Sequence, residues 1–208
     1  MKFIALLTAL LLFLSQLLTG CKKVDLLDAN FTYDHTVAGS EAMIRDKFVA
    51  TAEEWLGCKE SDGSHKPIID LYNSHKPLAR GYAVQYDDEW CATFVSAVSI
   101  KTGLTDIIPT ECSCEQQIEL FKKLECWVED DAYVPLPGDI IYYRMDNDKK
   151  AGDCTTWSDH VGIVIGTAEG HIKAIEGNKN EDVSCRILPI DDVIIRGFAV
   201  PDYAKAAK

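Results

Sequence analysis

The chain of 208 residues lacks the surplus of basic residues that nucleic-acid-binding proteins carry. It has 21 Lys and Arg against 33 Asp and Glu, which gives a net charge of −12. Because proteins that bind a phosphate backbone normally present a basic surface, nucleic acid is excluded as a partner. Internal repeats and low-complexity tracts are also missing, and 47% of the residues are apolar. This composition is typical of a globular protein, and the length predicts one domain of ordinary size.

Paired Cys-x-x-Cys units are missing too, although the chain has eight cysteines. The spacing of Cys112, Cys114 and Cys126 does not match that of a structural zinc site. The acidic run at 87–89 lacks the alternating oxygen ligands of a calcium loop, and solvated or capping side chains explain it better. We therefore predict no metal site and no cofactor. Disulfides are possible among these cysteines, but the sequence does not indicate which thiols would pair.

No apolar run is long enough for a membrane-spanning helix. The N-terminus offers about 16 apolar residues, whereas a span needs roughly 20. With Lys2 in front and small residues behind, residues 1–20 are interpreted as an export signal. Residues 18–21 (LTGC) resemble a bacterial lipobox, which implies cleavage before Cys21 and a diacylglyceryl group on its sulfur. An ordinary signal peptide or an uncleaved anchor is the alternative.

The rest of the chain divides into a short connection and one domain. Residues 21–40 show no sustained periodicity and are predicted to be a tether, which would hold an exported protein at the membrane through lipidated Cys21. Residues 41–208 are predicted to form an α+β domain, because helical periodicity comes first and strand patterns follow.

Helices are predicted to pack on an antiparallel meander of about five strands. The helices are expected from about Ser40 to Gly57, over 88–102, and from a capping-box pattern at Ser113 onward, with 58–86 mostly loop. The strands are expected at 139–144, 160–165, 172–176, 183–188 and 194–200.

Cys91 and His160 are the candidate chemical groups of this domain. Cys91 lies in the first turn of a predicted helix, where free N–H groups and the helix dipole stabilise a thiolate. The same N–H groups can hold an oxyanion during acyl transfer. His160 begins a predicted strand and is followed two residues later by Gly162, which leaves space beside it. A thiol and an imidazole of this kind form a nucleophile and its base.

A hairpin places two more polar residues on the face of His160. A three-residue loop at 168–170, with Gly170 in the left-handed conformation, would pair His160 with Asn178 and Gly162 with Glu176. Glu176 and Asn178 would then be candidates for orienting the histidine. A two-residue loop would move Glu176 to the opposite face of the sheet.

Four short blocks resemble, in order, the signature blocks of the CHAP family of cysteine, histidine-dependent amidohydrolases/peptidases. They lie at residues 90–95 (WCATFV), 137–141 (PGDII), 159–164 (DHVGIV) and 175–178 (IEGN). The resemblance implies a papain-like fold and cleavage of amide bonds in the peptide part of peptidoglycan, in a stem peptide or crossbridge. It also implies that Cys91 is the nucleophile, His160 the base, and Glu176 and Asn178 the acidic and amide residues that orient the base or polarise the site.

Two other interpretations remain open at the level of sequence. The NlpC/P60 endopeptidases share the fold but usually have a second histidine on the third strand, where this chain offers only His171 at the strand start. A non-catalytic wall-binding lipoprotein is the other alternative. Gln85, six residues before Cys91, is a candidate oxyanion donor by analogy with papain-like proteases, although an incidental loop residue is the more common explanation. The expected location is the membrane surface that faces the cell wall.

Overall fold

The structure is a computed structural model that describes residues 39–145 and 157–207. The predicted signal segment, Cys21, Cys154 and all but the last two residues of the predicted tether lie outside the described residues. The described α-helices are α1 Gly39–Glu53, α2 Lys66–Ser74, α3 Cys91–Thr102, α4 Cys114–Lys123 and α5 Tyr203–Ala206. The described strands are β1 Trp127–Val128, β2 Ile140–Tyr143, β3 His160–Ala168, β4 His171–Lys179, β5 Asp182–Pro189 and β6 Ile195–Ala199.

The predicted α+β class, with helices packed on an antiparallel sheet, is confirmed. In the part of the chain that the structure describes, the strands form one sheet in the order β1-β6-β2-β3-β4-β5, and every neighbouring pair is antiparallel. Strands β2 to β5 make the expected meander. The last strand departs from it, because β6 returns to pair with β2 and β1 adds a further strand at the edge.

Helix α2 was not expected, since 58–86 was predicted to be mostly loop. Its buried stripe is short and consists of Ile68, Ile69 and Tyr72. Pro67 stands in the first turn of the helix, where its fixed φ and missing N–H are tolerated. Three apolar residues and an N-terminal proline are a weak signal among the polar residues that surround them.

Helix α3 is the centre of the domain and carries Cys91 at its first residue. Ten of its twelve residues are buried. It contacts α1 and α2 on one side and β3 and β4 on the other. A helix that is buried on nearly all sides belongs to the core, and packing against its neighbours fixes its position.

The close approach of α3 to β4 depends on a glycine. A Cβ atom built at Gly177 would lie 2.4 Å from Cβ of Phe94 and 3.0 Å from the ring of Trp90. The helix can therefore sit against the strand only because residue 177 has no side chain. Within the described residues, no helix is long and apolar enough to span a bilayer.

Candidate active site

Cys91 lies at the N-terminus of α3, as the sequence predicts. Trp90 occupies the N-cap position, and no side chain caps the free N–H groups of the first turn. The backbone N–H of Ala92 is directed at the Cys91 sulfur. Only 6% of Cys91 is exposed. An uncapped helix start leaves backbone donors that can stabilise negative charge on the sulfur or on an oxyanion beside it.

His160 and Glu176 form the next contact of the site. Nε2 of His160 donates to Oε2 of Glu176 over 3.0 Å, and the carboxyl group is fully buried. The ring of Tyr143 stacks on the imidazole with a centroid distance of 5.9 Å. Since Nε2 is engaged by Glu176, Nδ1 is the ring nitrogen left to face Cys91, whose sulfur raises the pKa of His160. The imidazole therefore stands between the sulfur and the carboxylate.

The hairpin that brings His160 and Glu176 together has a shorter loop than predicted. Ala168 pairs with His171, so the loop contains only Glu169 and Gly170, both with positive φ. The predicted three-residue loop at 168–170 is therefore wrong. Two residues with positive φ form a type I′ turn, whose twist matches that of the flanking strands.

A β-bulge restores the predicted register next to the site. The ladder of β3 and β4 shifts between Val164 and Gly166, so that β3 carries one extra residue at this point. Beyond the bulge Ile163 pairs with Ile175, as a three-residue loop would have required. The extra residue lies in the strand instead of in the turn, and Glu176 faces His160 as expected.

Gly162 gives the Glu176 side chain its space. A Cβ atom at residue 162 would lie 2.8 Å from Cγ of Glu176, closer than such contacts occur. The sequence predicted that Gly162 leaves this face open for an approaching group. The structure shows that the open space is filled by the carboxylate that holds His160.

Arg186 is a site residue that the sequence analysis did not identify. Its Nε donates to Oε1 of Glu176 over 2.7 Å, and its Nη2 donates to Oε2 over 3.0 Å. The guanidinium also lies over the ring of Tyr143, 5.4 Å from the centroid. A bidentate arginine fixes both position and orientation of a carboxylate. The available signal was a single arginine in strand β5. Arg186 lies two residues after Ser184, which pairs with Glu176.

Positive and negative charges alternate among the contacting side chains of the site. Burial alone would lower the pKa of His160, but the hydrogen bonds with Cys91 and Glu176 outweigh it and raise this pKa to about 9. Burial would likewise raise the pKa of Glu176, but the hydrogen bonds from His160 and Arg186 lower it overall. Imidazolium, carboxylate and guanidinium therefore stabilise one another, as buried charges require.

The sulfur of Cys91 is held as a thiolate by three kinds of donor. The hydrogen bond between Cys91 and Cys114 is the largest influence, followed by the influences of His160 and the backbone N–H of Ala92, and together they lower the pKa of Cys91 to about 5 against the effect of burial. The two sulfurs are 3.6 Å apart. Cys91 and the other cysteines in the described ranges are free thiols: Cys58, Cys112, Cys114, Cys126 and Cys185. A low pKa and a free sulfur are what a thiol nucleophile needs.

Asn178 and Gln85 make contacts outside this group. The Asn178 amide donates to Oε2 of Glu89 over 2.5 Å, so it ties the end of β4 to the segment before α3. The side chain of Gln85 donates to the carbonyl of Ala83 over 2.7 Å. The structure thus brings Cys91, His160 and Glu176 together and places the two amide side chains next to other partners.

The acidic residues before Cys91 are occupied by local contacts. Oδ2 of Asp88 accepts hydrogen bonds from the backbone N–H of Gln85 and from the hydroxyl of Tyr82, both over 2.7 Å. These bonds lower the pKa of Asp88. Asp88 therefore stabilises the loop before α3, and no acidic side chain of this run caps the helix itself.

The comparisons with known proteins give one similar structure. No family model and no curated protein matches the chain. A crystal structure of an NlpC/P60 family protein from Bacillus cereus is similar with 16% sequence identity and a TM-score of 0.41, over 74% of this chain. The chain spans 39% of the length of that protein.

Proposed function

We propose that this protein is a cysteine-dependent hydrolase that cleaves amide bonds in the peptide part of peptidoglycan. The observation that supports a hydrolase is a buried thiol at the start of α3 whose pKa is lowered in part by His160, the histidine that Glu176 holds by a hydrogen bond. The substrate class rests on the resemblance of the four blocks at 90–95, 137–141, 159–164 and 175–178 to the CHAP family.

Each group would have one task in the reaction. The Cys91 thiolate attacks the carbonyl carbon, and the oxyanion that forms accepts hydrogen bonds from the backbone N–H groups at the start of α3. His160 gives its proton to the leaving amine, which departs and leaves a thioester on Cys91. A water molecule, deprotonated by His160, then attacks the thioester and releases the acid. Glu176 holds the imidazole in position throughout and stabilises its protonated form.

The contacts favour this assignment over the NlpC/P60 type of site, in which a second histidine follows on the third strand. His171 lies at the turn end of β4, where its Nδ1 contacts the carbonyl of Glu169 at 2.8 Å. The group that binds His160 is a carboxylate, Glu176.

We further propose that Cys21 is lipidated, so that the enzyme works on wall peptides close to the membrane.

The test is digestion of purified peptidoglycan by the full-length protein, followed by mass analysis of the released fragments. We expect new amino and carboxyl termini within or at the base of the stem peptide, which also shows which bond is cut. Cys91→Ala should abolish release, and His160→Ala should reduce it by about 10²–10⁴-fold, because it removes the general base. Cys112→Ala, which removes a thiol outside the site, is the matched control. Full activity of Cys91→Ala would overturn the proposal.

A further inference from the structure

A second thiol stands beside the proposed nucleophile at the start of another helix. Cys91 is the first residue of α3 and Cys114 is the first residue of α4, and their sulfur atoms are 3.6 Å apart. Both side chains are 6% exposed. We propose that the Cys114 thiol donates a hydrogen bond to the Cys91 thiolate and holds the nucleophile in its charged form. This inference rests on the proposed function, in which Cys91 is the nucleophile.

The loop before α4 fixes Cys114 relative to α3. The Ser96 hydroxyl, on α3, donates to the carbonyl of Glu111 over 2.6 Å and accepts from its N–H over 2.9 Å. Oε1 of Glu111 in turn accepts from the backbone N–H groups of Cys112 and Ser113. A buried carboxylate thus organises the turn that leads into α4. The distance between the two sulfurs is therefore set by the packing of two helices, not by a flexible side chain.

The groups around the two sulfurs make Cys114 the donor. His160 favours the charged form of the Cys91 sulfur, whereas the negative charge of Asp159 disfavours a thiolate at Cys114. The hydrogen bond with Cys91 and burial raise the pKa of Cys114 well above its usual range, so this thiol keeps its proton. The nearby Tyr142 hydroxyl is engaged, since it donates to Oε1 of Gln117 over 2.8 Å. One protonated thiol next to one thiolate is the arrangement that satisfies both sulfurs.

The test compares two substitutions of similar size. Cys114→Ala removes the donor, whereas Cys114→Ser keeps an O–H donor. The rate at which iodoacetamide alkylates Cys91 is measured against pH in the full-length protein, with the Cys91 peptide quantified by mass spectrometry. We expect the acid limb of this profile to move up by about one pH unit in Cys114→Ala and to stay near its original position in Cys114→Ser.

Two controls separate this role from a structural one. Cys112→Ala removes a thiol that contacts Arg80 at 3.1 Å and not Cys91, so its profile should match that of the unchanged protein. Cys114→Val, which keeps the buried volume but has no donor, should shift the limb as Cys114→Ala does. A merely structural residue would lower the melting temperature of both donor-free variants without moving the limb.

The results of this experiment can contradict the role of Cys114 and the proposed function independently of each other. An unmoved limb in Cys114→Ala, or recovery of a Cys91–Cys114 disulfide from protein isolated without reductant, would overturn the inference even if peptidoglycan is cleaved. A limb that moves as expected, in a protein that releases no peptide fragments, would support the inference and overturn the proposed substrate. Alkylation reports the ionisation of Cys91 and does not depend on any substrate.

Discussion

At the scale of single residues, the site is a row of groups with alternating charge, of which Cys91, His160 and Glu176 are buried and Arg186 is partly exposed. His160 lowers the pKa of the Cys91 thiol and binds Glu176 through a hydrogen bond, and Glu176 accepts two hydrogen bonds from Arg186. A buried charge without a partner is expensive, so each member depends on its neighbours. The row therefore explains how a thiol can stay ionised at a position that is almost closed to water.

The ionisation of Cys91 and His160 predicts a bell-shaped dependence of kcat/KM on pH. The pKa of Cys91 is lowered to about 5, and that of His160 is raised to about 9. The thiolate–imidazolium pair is lost to protonation of the sulfur below the first value and to deprotonation of the ring above the second. Activity should rise through about pH 5, stay level near neutrality and fall through about pH 9. A profile that rises only near the pKa of an ordinary thiol would contradict this prediction.

Removal of the guanidinium should destabilise the fold through Glu176. Arg186→Met leaves a buried carboxylate with one partner fewer, and we expect the free energy of unfolding to fall by about 3 kcal/mol. Adding Glu176→Gln to this variant removes the unpaired charge and should recover part of the loss. Urea unfolding of the two single variants and the double variant measures the coupling. If the two effects simply add, the ion pair makes no contribution of its own.

The sequence was sufficient for three members of this row and insufficient for the fourth, Arg186, and for the neighbouring Cys114. Cys91, His160 and Glu176 could be placed together because a helix start, a strand start and one hairpin register determine their positions. Arg186 reaches the site from β5, and its approach depends on a second register that shifts after Glu176. Cys114 depends on how two helices pack, which no local pattern specifies.

At the scale of secondary-structure elements, the packing of α3 on β4 positions the nucleophile. The strand passes the helix at Gly177, where Phe94 and Trp90 fill the space that a side chain would take. Cys91 lies next to Trp90 on the same helix, and Glu176 lies next to Gly177 on the same strand. The separation of α3 from β4 therefore sets the distance between Cys91 and the carboxylate that holds His160.

Gly177→Ala should push these two elements apart. A methyl group at this position would lie 2.4 Å from Cβ of Phe94, and overpacking of this kind costs about 3 kcal/mol. We expect both a lower melting temperature and a lower kcat. Gly39→Ala is the matched control, because no atom lies within 4 Å of a Cβ at that position. A Gly177→Ala variant as stable and active as the control would show that the strand and helix are not tightly packed.

Long elements with a clear period were predictable, and short ones were not. The cap at Ser113 is present as expected, with its side chain accepting from the N–H of Gln116. Helix α2 and strand β1 escaped detection because nine and two residues carry too few apolar positions to show a period. Their stability comes from the neighbours on which they pack.

At the scale of the whole molecule, the proposed lipid anchor would restrict where the enzyme works. Residues 22–38, which precede α1, can span at most about 56–61 Å when extended, which limits the distance from the membrane. An acidic chain gains no attraction from anionic lipids, so the anchor itself must supply the membrane affinity.

Cys21→Ser should therefore release the protein from the membrane. In the native cell we expect the unchanged protein in the membrane fraction with incorporated radiolabelled palmitate, and the variant in the soluble fraction without label. Cys112→Ser is the control, since it alters a thiol within the folded domain. Palmitate incorporation that persists in Cys21→Ser would contradict lipidation at this residue.

The class of the fold was predictable, whereas the strand order was only partly so. A change from helical to strand periodicity near Pro137 indicates an α+β chain. The pairing of β6 with β2 joins segments that are far apart in sequence, so no turn motif between them predicts this pairing.

The bulge in β3 affects how the sequence of this hairpin can change during evolution. The extra residue sits between the turn and the pair formed by His160 and Glu176, so the register at the two ends of the hairpin is set separately. Gain or loss of one residue near the tip can be absorbed by removing or moving the bulge. The tip is therefore free to vary in length and to acquire new contacts, while the alignment of base and carboxylate is preserved.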